Sequence, residues 1–156
     1  MTNASGLCTD CGICCDGTLF SSVTLNGTDL ATTRGHRLPV VKTADGHKLE
    51  LPCAALRGVL CGIYEERPEC CADYACELLV RVADGRLSME NARDIIEVTR
   101  ATRARVKAAV GATPWWLAQR SAIEAVRADG DWARDHAELV ADLDTLEMLV
   151  GRHFRG

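Results

Sequence analysis

The stretch Leu7-Cys8-Thr9-Asp10-Cys11-Gly12-Ile13-Cys14-Cys15-Asp16-Gly17 sets four thiols within eight positions and carries neither helical nor strand periodicity. A segment without an apolar face cannot fold by burying one. It reads as a ligand-bearing loop with at most one helical turn. A second segment holds the other five thiols, Cys53, Cys61, Cys70, Cys71 and Cys76, and is broken at Arg67-Pro68, where proline disfavours a helical residue before it. All nine cysteines thus fall between positions 8 and 76, and none in the 80 residues that follow. The chain has two halves of different character.

At 156 residues the chain is long enough for one domain that buries roughly 70% of its unfolded surface. It has no intrinsic need of staples. Apolar residues at 47% and charged residues at 26% are globular values, and with aromatics at 4% the core must be mostly aliphatic. The net charge of −4 gives no electrostatic footprint for bulk nucleic-acid binding. No window of 18 apolar residues offers a membrane span. The start Met1-Thr-Asn-Ala-Ser-Gly lacks the basic-then-apolar pattern of a signal peptide. The expectation is a cytoplasmic protein, where thiols stay reduced and a cysteine-dense segment points to metal or redox chemistry rather than disulfides.

Residues 18–25 read as a strand. Leu38 to Leu51 reads as a β-hairpin around Asp45-Gly46, with His47 in its loop. Ala72 to Val82 reads as one helix ended at Asp84-Gly85. Ser88 is the expected N-cap of a helix to Val110, stopped by Gly111, with Ala92, Ile95, Ile96, Thr99, Val106 and Val110 on its inner face. Thr113-Pro114 opens a further helix to about Arg127, with Trp116, Ile123 and Val126 inward. After a turn at Asp129-Gly130-Asp131, a last helix runs from Trp132 to Val150, with Trp132, His136, Leu139, Leu143, Leu146 and Val150 on one face. The expected fold is α+β, mainly α. It is one domain over 1–156, in which a metal-stabilised cysteine-rich half with the hairpin (1–78) packs on a helical half (79–156).

Chelation needs several thiolates about 2.3 Å from a metal, commonly with a short-spaced pair on a tight loop. The Cys8-x2-Cys11-x2-Cys14 run meets that need twice over. Three such ligands with a remote fourth is also how bacterial ferredoxins hold a [4Fe–4S] cluster, whereas zinc sites more often pair two CxxC knuckles. The spacing leans to iron–sulfur and leaves zinc open. A thioredoxin-like redox site would want CxxC after a strand, and nothing precedes Cys8 here.

Beyond spacing, the chain resembles the CxxCxxCC cysteine-cluster (YkgJ-type) family, described as zinc- or iron-chelating. The resemblance rests on Cys8-x2-Cys11-x2-Cys14-Cys15 and on a later signature falling on Cys53, Leu56, Cys61, Ile63, Tyr64, Arg67, Pro68, Cys71, Tyr74 and Cys76. It covers residues 8–76, leaves Cys70 as an extra thiol, and implies metal ligation by Cys8, Cys11, Cys14, Cys15, Cys53, Cys61, Cys71 and Cys76. The implied cofactor is Zn2+ or an iron–sulfur cluster.

Eight ligands make two four-cysteine sites arithmetically attractive. Neighbouring side chains of extended backbone point to opposite sides, so Cys14 and Cys15 are assigned to different sites. The expected division is Cys8, Cys11 and Cys14 with one remote cysteine, and Cys15 among Cys61, Cys71 and Cys76. Arg67 and Arg57 are candidates to offset thiolate charge, with Tyr64 and Tyr74 packing against the centre. His36, His47, His136 and His153 carry no ligand pattern, and only His36 is weighed as a supplementary ligand. The alternative function is a metalloenzyme using a redox-active iron or iron–sulfur centre on a small molecule. The basic stripe Arg93, Arg100, Arg103 and Lys107, or the pair Trp115-Trp116, offers a docking face for a protein partner through the helical half.

Overall fold

The computed structural model describes residues 5–128 and 130–156. It is mainly helical with a small antiparallel sheet, and divides into two compact units, one ending at Ala92 and one spanning Arg93–Gly156.

The first unit opens with a short helix, α1 (Ser5–Thr9), and three strands, β1 (Ser22–Leu25), β2 (Val40–Thr43) and β3 (Gly46–Glu50). The hairpin expected around Asp45-Gly46 is β2–β3. Gly46 has φ +117°, a conformation that glycine adopts without strain, and the Thr43 hydroxyl donates to the Gly46 carbonyl at 3.1 Å. His47 lies in β3 rather than in the loop, facing Leu25 and Lys42 across the ladders. The strand foreseen at 18–25 is confined to Ser22–Leu25 and pairs with β3, giving the order β1-β3-β2. Val23 and Val40 flank Leu49 from either side. Leu25, Leu38, Leu49 and Ala55 form the buried cluster.

Between β1 and β2 lies a helix that pattern reading missed, α2 (Gly27–Gly35). Asn26 and Asp29 form its capping box: the Asp29 amide donates to Asn26 Oδ1 at 2.8 Å and the Asn26 amide to Asp29 Oδ2 at 3.1 Å. After β3 come a two-stranded ribbon, β4 (Leu56–Arg57) with β5 (Leu60–Cys61), and a 3-10 turn at Tyr64–Glu66. The single helix expected over 72–82 forms only in its later part. Helix α3 (Glu69–Ala72) and helix α4 (Glu77–Ala83) are separated where Cys76 takes extended backbone, ψ 160°.

Helix α5 (Met89–Val110) matches its sequence signals closely. Ser88 Oγ accepts the Asn91 amide at 3.1 Å, and Gly111 stops it at φ +65°. Ala92, Ile96, Thr99 and Val106 are buried along it.

The second unit continues with α6 (Trp115–Ala128), α7 (Gly130–Asp135), α8 (Ala137–Val150) and a wide closing turn at Gly151–Arg155. Its buried residues include Leu143, Leu146, Val150 and Phe154. Arg105 grips Asp142 through Nε and Nη2 at 2.8–3.0 Å.

Two expectations need correction here. On α6 the inner residues are Trp115 and Ala122, whereas Trp116, Ile123 and Val126 are 42–44% exposed. Trp115 takes the inward place expected of Trp116, and Ala122 that expected of Ile123, so the buried face is turned by one residue. His136 is exposed, because the last helix breaks there into α7 and α8 and its facing resets. It stacks on Trp132 with ring centroids 4.4 Å apart. Of the expected turn at 129–131, Asp129 lies outside the described residues, and Gly130 and Asp131 begin α7.

Candidate metal centre

The first cysteine segment is a series of tight turns. Cys8 sits on α1, and the Cys11 amide donates to its carbonyl at 3.4 Å. Gly12 then takes φ +70°, and a Cβ there would meet the Val59 carbonyl oxygen at 3.0 Å. Only glycine allows both the left-handed turn and that approach. The Cys15 and Asp16 amides fold back onto the Gly12 carbonyl at 3.0 Å, giving one helical turn. Cys14 and Cys15 leave this turn as neighbours.

The second segment is stitched to the first by backbone. The Cys53 amide donates to the Cys15 carbonyl at 2.8 Å, and the Leu56 amide to the Cys53 carbonyl at 3.0 Å. The β4–β5 ribbon sets Cys61 opposite Leu56. Cys70 and Cys71 ride on α3, and Cys76 is the N-cap residue of α4.

These elements enclose a cavity of about 320 Å³ whose lining includes eight of the nine thiols: Cys8, Cys11, Cys14, Cys15, Cys53, Cys61, Cys70 and Cys71. Cys76 is not part of the wall. The rest of the lining is largely apolar, and Arg67 is its one charged residue. Arg67 lies 3.9 Å over the Tyr64 ring and donates to the Tyr64 carbonyl. Tyr74 meets Phe20 edge-on at 5.0 Å. Arg57 does not join the lining; its guanidinium turns to the Ala54 and Leu56 carbonyls. His36 is directed to Glu66 at 3.0 Å instead of toward the thiols.

At Cys8, Cys11, Cys14, Cys15 and Cys71 burial is the largest influence, and it favours the protonated thiol. Cys11 is pushed up to about 12 by desolvation, with the backbone at Ile13 acting the other way and Cys76 and Cys8 adding repulsion. Cys14 is raised by burial and then by Cys76, Cys11, Cys15 and Cys8. Cys15 is pushed up to about 12 by burial and then by Cys61 and Cys53. Cys71 is raised by burial, then by Cys70, Cys15 and Cys53. Cys8, the one exposed cysteine, is raised by burial of its thiol and by Cys76, and lowered by the Arg67 charge. A cation entering here must displace protons.

The order of these neighbours separates the thiols. Cys76 acts on Cys8, Cys11 and Cys14, while Cys15 feels Cys61 and Cys53 first. In kind the donors fit a soft or borderline cation, being many sulfurs in a wall with few competing oxygens. Among the described residues, no three His, Cys, Asp or Glu side chains stand close enough together to hold an ion as they are placed.

A family model described as CxxCxxCC, a putative zinc- or iron-chelating domain, matches residues 7–103. The chain belongs to the CxxCxxCC family. The match runs past the last cysteine through α4 and into α5, further than the 8–76 covered by the cysteine signature. Neither a curated protein nor a solved structure matches the chain. No helix among the described residues is long and apolar enough to cross a membrane.

Proposed function

We propose that this chain binds metal through eight cysteine thiolates in two sets of four, Cys8, Cys11, Cys14 and Cys76 in one and Cys15, Cys53, Cys61 and Cys71 in the other. The observation that carries the reading is the convergence of both cysteine segments on one cavity wall, which seven of these eight thiols line. The division differs from the one expected from the sequence by exchanging Cys76 for Cys53. It follows the Cys53–Cys15 backbone bond and the repulsion of Cys76 on the first-segment thiols. Cys14 and Cys15 then serve different sets.

Four sulfurs close a tetrahedral ion or anchor the corners of an iron–sulfur cluster, and leave no open position for a Lewis-acid reaction. The role is structural or electron-transferring. The chain's own residues turn the loops, exclude water through the apolar wall and place Arg67 against the negative charge of the thiolates. Elemental analysis and an absorption spectrum after anaerobic purification test this. Two equivalents of zinc without colour, or broad visible absorbance with iron and sulfide, support it. Cys11→Ser and Cys71→Ser each lose one set and keep the other. Protein free of bound metal after such a purification, and taking up none on titration, overturns it.

A further inference from the structure

Helix α3 carries Cys70 and Cys71, and the residue at its N-cap, Pro68, offers no side-chain acceptor. The first amides of any helix have no partner within it. Here the Cys71 and Ala72 amides reach back to the Pro68 carbonyl at 3.0 Å, which leaves Glu69 and Cys70. The Cys70 amide donates to Asp29 Oδ1 at 3.2 Å, across 41 positions of sequence. Asp29 is 1% exposed, and its other oxygen accepts the Asn26 amide. A buried carboxylate is tolerated only when its hydrogen bonds are met. Capping α2 alone would not require burial.

We propose that Asp29 is a positioning residue for the Cys71 ligand, capping α3 from α2 and holding Cys70 as a hydrogen-bonding thiol outside the ligand set. This rests on the two-set reading above. The Cys70 backbone is tied to the Asp29 carboxylate, which fixes the start of α3. Cys70 also packs against the Leu25, Leu38, Leu49 and Ala55 cluster. Its neighbour Cys71 lies beside Cys70 and, beyond it, Cys15 and Cys53.

The test is titration with cobalt(II) and with zinc against a chromophoric chelator, in the full chain and its variants. Asp29→Asn is expected to weaken one of two metal equivalents at least tenfold, as loss of a partner behind a ligand does, and to alter the sulfur-to-cobalt charge-transfer band of that equivalent alone. Asp29→Glu keeps the charge and a capping-box partner on α2 but not the reach to α3, and is expected to show the same loss should Asp29→Asn fail to fold. Asn26→Ala removes the α2 cap and leaves both affinities unchanged. Cys70→Ala keeps the amide, and with it both equivalents. Unchanged affinity in the Asp29 variants, an equal loss in Asn26→Ala, or a missing equivalent in Cys70→Ala overturns the inference. Wild-type protein that takes up no metal overturns the two-set reading as well, whereas two equivalents in the wild type confine the failure to Asp29.

Discussion

Up to Ala92 the chain buries Leu25, Leu38, Leu49 and Ala55 beside a three-stranded sheet and gathers eight thiols around a cavity. From Arg93 on it buries Val106, Leu143, Leu146, Val150 and Phe154 between helices and contains no cysteine. The first unit is built of turns and short elements, none of the described ones longer than nine residues before α5. The second closes its core with side chains alone. The two units thus differ in what they gather: thiols around a cavity in one, apolar side chains between helices in the other.

Metal removal is the strongest way to break this comparison. A structural zinc contributes on the order of 10 kcal/mol, comparable with a domain's whole net stability. Chelation is expected to open residues before Ala92 while the helices after Arg93 persist, read by amide hydrogen exchange and limited proteolysis. Uniform loss of protection across both units would erase the distinction. The converse experiment acts on packing. Trp115→Ala is expected to cost the second unit about 3–5 kcal/mol, and Trp116→Ala, on the exposed face, within about 0.5 kcal/mol. Thermal melts decide it, and a larger loss from Trp116→Ala would restore the facing first read from sequence. Gly12→Ala comes next: the left-handed backbone alone costs about 1–2 kcal/mol and the Val59 contact adds to it, so metal affinity should fall while the second unit's melting stays put. The smallest effect is Ser88→Ala, about 1 kcal/mol from the lost α5 cap, visible as faster amide exchange at the start of α5.

How well each element could be read follows from what holds it. Helix α5 was legible end to end because its cap, stop and apolar spacing are all local signals. The β2–β3 hairpin was legible for the same reason. Helix α2 was not, because Gly27 and Gly35 dilute its pattern and only the Asn26-x-x-Asp29 pair announces it. The α3–α4 break was hidden because what matters there is where Cys76 must be placed, a long-range demand with no local mark. Among the site residues, the cysteine spacing named the chemistry directly. The partner of α3, Asp29, lies far away in sequence and carried no sign of its distant role beyond an acidic residue three places after an asparagine.

The bond from the Cys53 amide to the Cys15 carbonyl has a consequence in time. Closing a long loop is an entropic cost that grows with the logarithm of its length, and here a backbone bond joins the two ends of the stretch from Cys15 to Cys53. For a chain with two thiolate sets, the one containing Cys15 and Cys53 then starts half assembled. The other must recruit Cys76 from across the whole cysteine region. Under the two-set proposal, the set that contains Cys8, the exposed cysteine, is expected to be the first to give its ion up.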